Sequence, residues 1–213
     1  MLTLLERVEQ VPDSVAQMIV QRSEGVPYFV EEIINWFLDH GIIDASGEAW
    51  RFSALRFHEA PLPTTLHHLL LTRLSALTET ERTTLQYGSI FGRNLWEGGL
   101  AALGLPDSAS TLKQLQPRGF VEAQPESSLA GEKEWSFHHN LQQAVAYESV
   151  LKRVRRELHK TAAAWLESQA RKAGRLDEFV GILADHLDRA GEKTEAAEWY
   201  LRAGAHFHFQ GAF

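Results

Sequence analysis

The chain has 213 residues, 44% of them hydrophobic and 23% charged, a balance that suits one large or two small globular domains. Its net charge of −7 excludes a global attraction to DNA or to an anionic membrane, and the absence of cysteine excludes disulfides and thiolate metal sites. No apolar run approaches the ~20 residues of a membrane span. No basic segment followed by an apolar one opens the chain, so no signal peptide is expected and the cytoplasm is the default location. The closing run from His206 to Phe213 is apolar and aromatic with no helix stop, as expected of a chain cut from a longer one.

In chain order, Leu2, Leu4, Leu5 and Val8 suggest a short amphipathic helix. Pro12-Asp13-Ser14 can start a second, with Val15, Met18, Ile19 and Arg22 at helical spacing. Gly25-Val26-Pro27 punctuates, and Pro27 suits the first turn of a helix from Tyr28 to His40. In that helix Phe29, Ile33, Trp36 and Phe37 are expected to face a core, and Glu31, Glu32 and Asp39 to face out. Residues 42–45 and 49–52 around Ser46-Gly47-Glu48 predict a β-hairpin, followed by an irregular linker to Pro61-Leu62-Pro63. A leucine-rich helix over 64–77 is capped by Thr64 or Thr65. Thr78 and Glu81 then form a capping box for a helix running to about Ile90.

Short helices are predicted at 95–103 and 108–116. A second hairpin follows, residues 120–123 and 133–137 around a loose tip. The order of helices, strand, wing and strand is that of a winged-helix domain over roughly 63–139. Beyond it, helices are expected at 150–172, 176–190 and 193–209, separated by Gly174 and Gly191. Gly191, Ala196, Tyr200 and Ala203 match the spacing of a tetratricopeptide helix pair, in one copy only.

Between strand and helix lie His138 and His139, with Asn140 as the expected N-cap. A helix N-terminus favours an anion, and an imidazole there can donate to a phosphate oxygen. The plainer reading is that these histidines only tie strand to helix, and the local residues leave both open. Motifs for chemistry are otherwise absent: there is no G-x-x-x-x-G-K-[ST], no G-x-S-x-G and no H-E-x-x-H. His67 and His68 are adjacent, hence on different helix faces and unsuited to one metal ion. Lys152, Arg153, Arg155, Arg156 and Lys160 form a basic cluster, either a contact face or a solvated one. The expected recognition helix carries only Lys113 before Arg118, which argues against DNA.

Three segments together resemble the STAND-type signalling ATPases, relatives of the AAA and NB-ARC proteins. They are Glu24-Gly-Val-Pro-Tyr-Phe-Val-Glu-Glu32, the pair Leu62-Pro63-Thr64-Thr65-Leu66 and Leu71-Thr72-Arg73-Leu74, and Gly131–His139 with Ala146–Arg153. The last is similar to bacterial members that join a class III adenylate/guanylate cyclase to the ATPase and to tetratricopeptide repeats; other relatives carry a LuxR-type DNA-binding domain. The resemblance implies a mainly α chain: a helical lid with a β-hairpin over 1–60, a winged-helix domain with small hairpins over 61–140, and antiparallel helices over 141–213 beginning a tetratricopeptide-like superhelix. It implies that the P-loop and the magnesium-binding aspartate lie in a preceding nucleotide-binding core, so that this stretch is regulatory and not itself an enzyme, with no cofactor of its own. In the parent, ATP or ADP with Mg would be met by Gly25 and Pro27 at the adenine and by His139 at the β-phosphate. The family's Met-His-Asp here reads His138-His139-Asn140, which removes the acid that would hold an imidazolium. The partners implied are the core of the same parent chain and a protein bound through the helical C-terminus, with neither DNA nor membrane.

Overall fold

The computed structural model describes residues 8–9, 11–47, 50–59 and 62–210. It is mainly helical, with two small three-stranded sheets. The chain divides into two compact units, Met1–Leu77 and Thr78–Phe213.

In the first unit α1 (Asp13–Ser23) buries Val15, Ile19 and Ser23, one residue per turn along a single stripe. It ends on Glu24 and Gly25, both left-handed at φ 49° and 79°. Only glycine takes that conformation without a Cβ penalty, and the pair reverses the chain into Pro27, the first residue of α2 (Pro27–Asp39). The predicted apolar face is present: Phe29, Ile33, Trp36 and Phe37 are buried, joined by Val30 and Ile34. One expectation fails, because Glu32 is fully buried.

Its partner explains why. Arg73 lies on α4 (Leu66–Ser75), where the Thr65 hydroxyl caps the first turn by accepting from His68 N at 3.2 Å. Arg73 Nη1 donates to Glu32 Oε2 at 2.5 Å and Nε to Asp39 Oδ2 at 2.9 Å. Burial works against the Arg73 charge, but the two carboxylates outweigh it and hold the guanidinium above its ordinary pKa. Here α4 packs on α2, inside the first unit, whereas the order of elements grouped it with the following domain.

Strands β2 (Ile43–Asp44) and β3 (Trp50–Phe52) form the expected antiparallel pair, with Ile43 opposite Phe52. A third strand, β1 (Val8–Glu9), lies parallel to β3. Most of the helix expected near the N-terminus lies outside the described residues, but Val8 is in this strand. The linker expected before Pro61 contains a short helix, α3 (Ala54–Glu59).

The second unit opens with the predicted capping box. Glu81 N donates to Thr78 Oγ1 and Thr78 N to Glu81 Oε2, starting α5 (Glu79–Gly88), which tightens into a 3-10 turn at Ser89–Phe91. The helix expected over 95–103 is half strand: β4 (Asn94–Trp96) precedes α6 (Glu97–Ala102). Leu95 and Trp96 pair with β6 (Glu134–Phe137), which also pairs with β5 (Val121–Ala123), giving the order β4-β6-β5. Between β4 and β5 lies α7 (Ser108–Leu115).

Central β6 is buried along its whole length, Glu134 included. Asn94 Nδ2, Trp96 Nε1 and the backbone N–H and hydroxyl of Ser128 all donate to that carboxylate, at 2.6–3.1 Å. A buried carboxylate is tolerable only when so satisfied. Here it ties β4 to the tip of the β5–β6 hairpin. Then come α8 (Asn140–Glu148), α9 (Lys152–Lys172), α10 (Leu176–Ala190) and α11 (Lys193–Gln210), the last three joined by short loops through Gly174 and Gly191. No helix among the described residues is long and apolar enough to cross a membrane.

Candidate functional site

Gly25 and Pro27 are both exposed at the α1–α2 turn. Space around Gly25 is open, and Val26 between them is an apolar side chain 46% exposed. That is a small uncovered apolar surface on a turn fixed by glycine and proline. It belongs to the first unit, whereas His139 and the basic cluster belong to the second.

The strand-to-helix junction differs from expectation in its cap. His139, not Asn140, is the N-cap of α8: its Nδ1 accepts from Leu141 N at 3.1 Å, and His139 N donates to Gln142 Oε1 at 3.3 Å. Imidazole replaces the usual hydroxyl or carboxamide because backbone φ −140° and ψ 145° turn its near nitrogen over the first turn. A ring nitrogen that accepts carries no proton, so the ring's N–H lies on Nε2. His139 is exposed, and a donor on Nε2 is compatible with a phosphate oxygen. His138 has a separate bond, with Nδ1 2.5 Å from Glu122 Oε1 across the sheet.

Lys152 and Arg153 are exposed in the first turn of α9, which holds no acidic residue, and Arg156 is exposed in the second turn beside Glu157. Cations at a helix N-terminus oppose its dipole. Arg155 is half-buried instead, its guanidinium 4.7 Å from the centroid of the Tyr147 ring. The cluster therefore divides into an exposed face and one arginine held by an aromatic ring.

Tyr147 also opens a buried chain that the sequence did not disclose. Its hydroxyl is 2.9 Å from His159 Nε2, and His159 Nδ1 is 2.9 Å from His186 Nδ1. Three helices, α8, α9 and α10, are tied in this way. Both imidazoles are about 2–3% exposed. Burial, then the neighbouring His186 and the cations Arg189 and Arg155, pull His159 down to about 3. Burial and Arg189 pull His186 down to about 4 against the influence of Asp185. Both rings are thus neutral near pH 7. The only sequence signal was helical spacing: Leu158-His159 and His186-Leu187 place histidines among buried leucines.

No protein-family model and no solved structure matches the chain. It is similar to an uncharacterized protein of Rhizobium meliloti (strain 1021), 28% identical over 190 residues. That match covers 85% of this chain but 17% of the relative, so the chain spans about a sixth of the length of the protein it matches. Among the described residues no group of three or more His, Cys, Asp or Glu side chains could hold a metal ion.

Proposed function

We propose that the chain is a regulatory, non-catalytic part of a multidomain signal-transduction ATPase of the STAND class, switched by exchange of ADP for ATP and coupled to a class III adenylate/guanylate cyclase. The observation that carries this reading is the Glu32–Arg73 ion pair. It joins two of the segments that resemble the family, 41 residues apart, through a buried contact. Residues from the third segment, Glu134 and His139, likewise hold the hairpin tip and the α8 cap. The far greater length of the Rhizobium relative accords with a multidomain parent.

In this reading the first unit is the lid, and Gly25, Val26 and Pro27 meet the adenine. The run α5-β4-α6-α7-β5-β6 is a winged helix, with residues 124–133 as its wing. Helices α9–α11 begin a tetratricopeptide-like superhelix, on which exposed Tyr200 and Leu201 suit a protein partner. Nucleotide and Mg belong to the preceding core of the same parent chain, in the cytoplasm. His139 donates from Nε2 to the β-phosphate of ADP, favouring the closed state. Each nucleotide shifts the equilibrium only by its differential contacts with the two states.

A second reading, a winged-helix transcription regulator, is favoured by the same order of elements and by the exposed Lys152, Arg153 and Arg156. Net charge −7 and a single lysine on α7 weigh against it. A salt-dependent shift on random duplex DNA would support it. The direct test of the first reading is the segment encoded upstream of Met1. Expressed with this chain, it should bind ADP and hydrolyse ATP; an upstream segment without a P-loop overturns the proposal.

A further inference from the structure

A cavity of about 390 Å3 opens in the second unit between the 3-10 turn, α8 and α10. Its lining includes Phe91, Gln143, Gly181, Ile182, Asp185, His186 and Arg189. The buried chain ends at this cavity, and its direction can be argued. A phenol is a stronger proton donor than an imidazole N–H, and the Arg189 cation favours the oxygen lone pairs of Tyr147 over its proton. Tyr147 therefore donates to His159 Nε2. His159 then carries its own proton on Nδ1 and donates it to His186 Nδ1. That leaves the His186 proton on Nε2, and no described residue accepts from it.

Three further features favour a ligand over a single water. Arg189 Nε and Asp185 Oδ2, 2.9 Å apart, place both signs of charge at the cavity, each side chain about half exposed. Gln143 Nε2 donates to the Ser89 carbonyl at 2.8 Å, so the amide oxygen remains as an acceptor. Gly181 stands in the middle of α10, where glycine is a poorer helix former than alanine. A Cβ there would meet nothing within 4 Å, so internal packing does not require the glycine. The missing side chain leaves room on the cavity wall.

We propose that this cavity binds a small zwitterion with the chemistry of a free α-amino acid. Its carboxylate accepts from His186 Nε2 and Arg189, its ammonium donates to Asp185 and the Gln143 amide oxygen, and its side chain lies against Ile182 and Phe91. A ligand seated there touches three elements at once and adds to the links the buried chain makes between α8 and α10. The site stands whether or not the parent is a signalling ATPase.

The test is calorimetric titration of the 213-residue chain with glycine, L-leucine and L-glutamine. Two truncated probes accompany them: 4-methylpentanoate, which lacks the ammonium of leucine, and 3-methylbutylamine, which lacks its carboxylate. Saturable one-to-one binding of at least one zwitterion is expected, and for leucine a loss of about tenfold or more with either truncation, the scale of one charge-assisted hydrogen bond. Gly181→Leu should fold at least as stably as the parent chain and lose the binding. Arg189→Gln should weaken it about tenfold or more. No saturable binding of any of the three overturns the proposal, as does 4-methylpentanoate binding as tightly as leucine, or unchanged binding in Gly181→Leu.

Discussion

His139 holds two positions at once: it caps α8 through Nδ1 and, on the proposed function, reaches nucleotide through Nε2. Substitutions can separate them. Asparagine is a good cap and a poor mimic of the outward N–H. In a protein that includes the nucleotide core, His139→Ala and His139→Asn should both weaken ADP binding by roughly tenfold or more, the scale of a charge-assisted hydrogen bond. Only His139→Ala should also lose about 1 kcal/mol of stability. His138→Ala should leave nucleotide affinity unchanged, because its described side-chain bond is to Glu122. Paired ADP titrations and melting curves check this, and unaltered ADP affinity in both His139 variants would reduce the residue to its cap. The Arg73 pair gives a second prediction at this scale. Arg73→Met removes the cation beside the buried Glu32 carboxylate and should cost about 3–5 kcal/mol in urea unfolding. Adding Glu32→Met should recover a large part of that loss; no recovery would show that the pair is not the source.

Among the described elements of the first unit, α2 supplies the most buried apolar residues. Trp36 and Phe37 are 2% and 1% exposed, and Phe37 meets Phe52 and Phe57 edge-on at ring centroid distances of 6.3 and 5.8 Å. Trp36→Ala or Phe37→Ala should each cost about 3–5 kcal/mol. Leu55→Ala, on the exposed face of α3, should fall within about 0.5 kcal/mol of wild type. If all three melt together, the buried face is misassigned. The second sheet depends on a polar centre instead. Because Glu134 gathers donors from β4 and from the hairpin tip, its loss should loosen both, while Val121 and Phe137 still hold β5 against β6.

At the scale of the whole molecule, His159 and His186 set an acid limit. In the unfolded chain both rings take a proton near pH 6.5; in the folded chain they refuse it until about 3 and about 4. Between those values the unfolded state binds more protons, so stability must fall as pH falls from about 6.5 toward 4. For His186 alone the loss is on the order of 3 kcal/mol. Arg155, Arg189, Asp185 and Tyr147 face the pair. Melting temperatures from pH 7 to pH 4 should therefore drop more steeply for the wild type than for His159→Gln/His186→Gln. Parallel curves would refute the assignment. The isolated chain should also hydrolyse no ATP, since it contains no P-loop. Turnover that survives repeated purification would contradict this.

Sequence alone determined what depends on neighbours along the chain. Helical spacing fixed the apolar face of α2, Thr78 and Glu81 announced their capping box, and Gly174 and Gly191 marked the helix ends. Each is a matter of local geometry, readable over a few residues. The missed features are pairings across distance. Glu32 reads as a solvent-facing carboxylate until Arg73 is placed against it. Asn94–Trp96 carry no strand signal of their own and become β4 because β6 offers them a ladder. His159 and His186, 27 residues apart, look like two ordinary helical histidines; only the packing of α9 against α10 brings their Nδ1 atoms to 2.9 Å and aims the second ring at a cavity. Burial of a charge or a polar ring is tolerable only with its partner in place, and the partner's position is a property of tertiary structure.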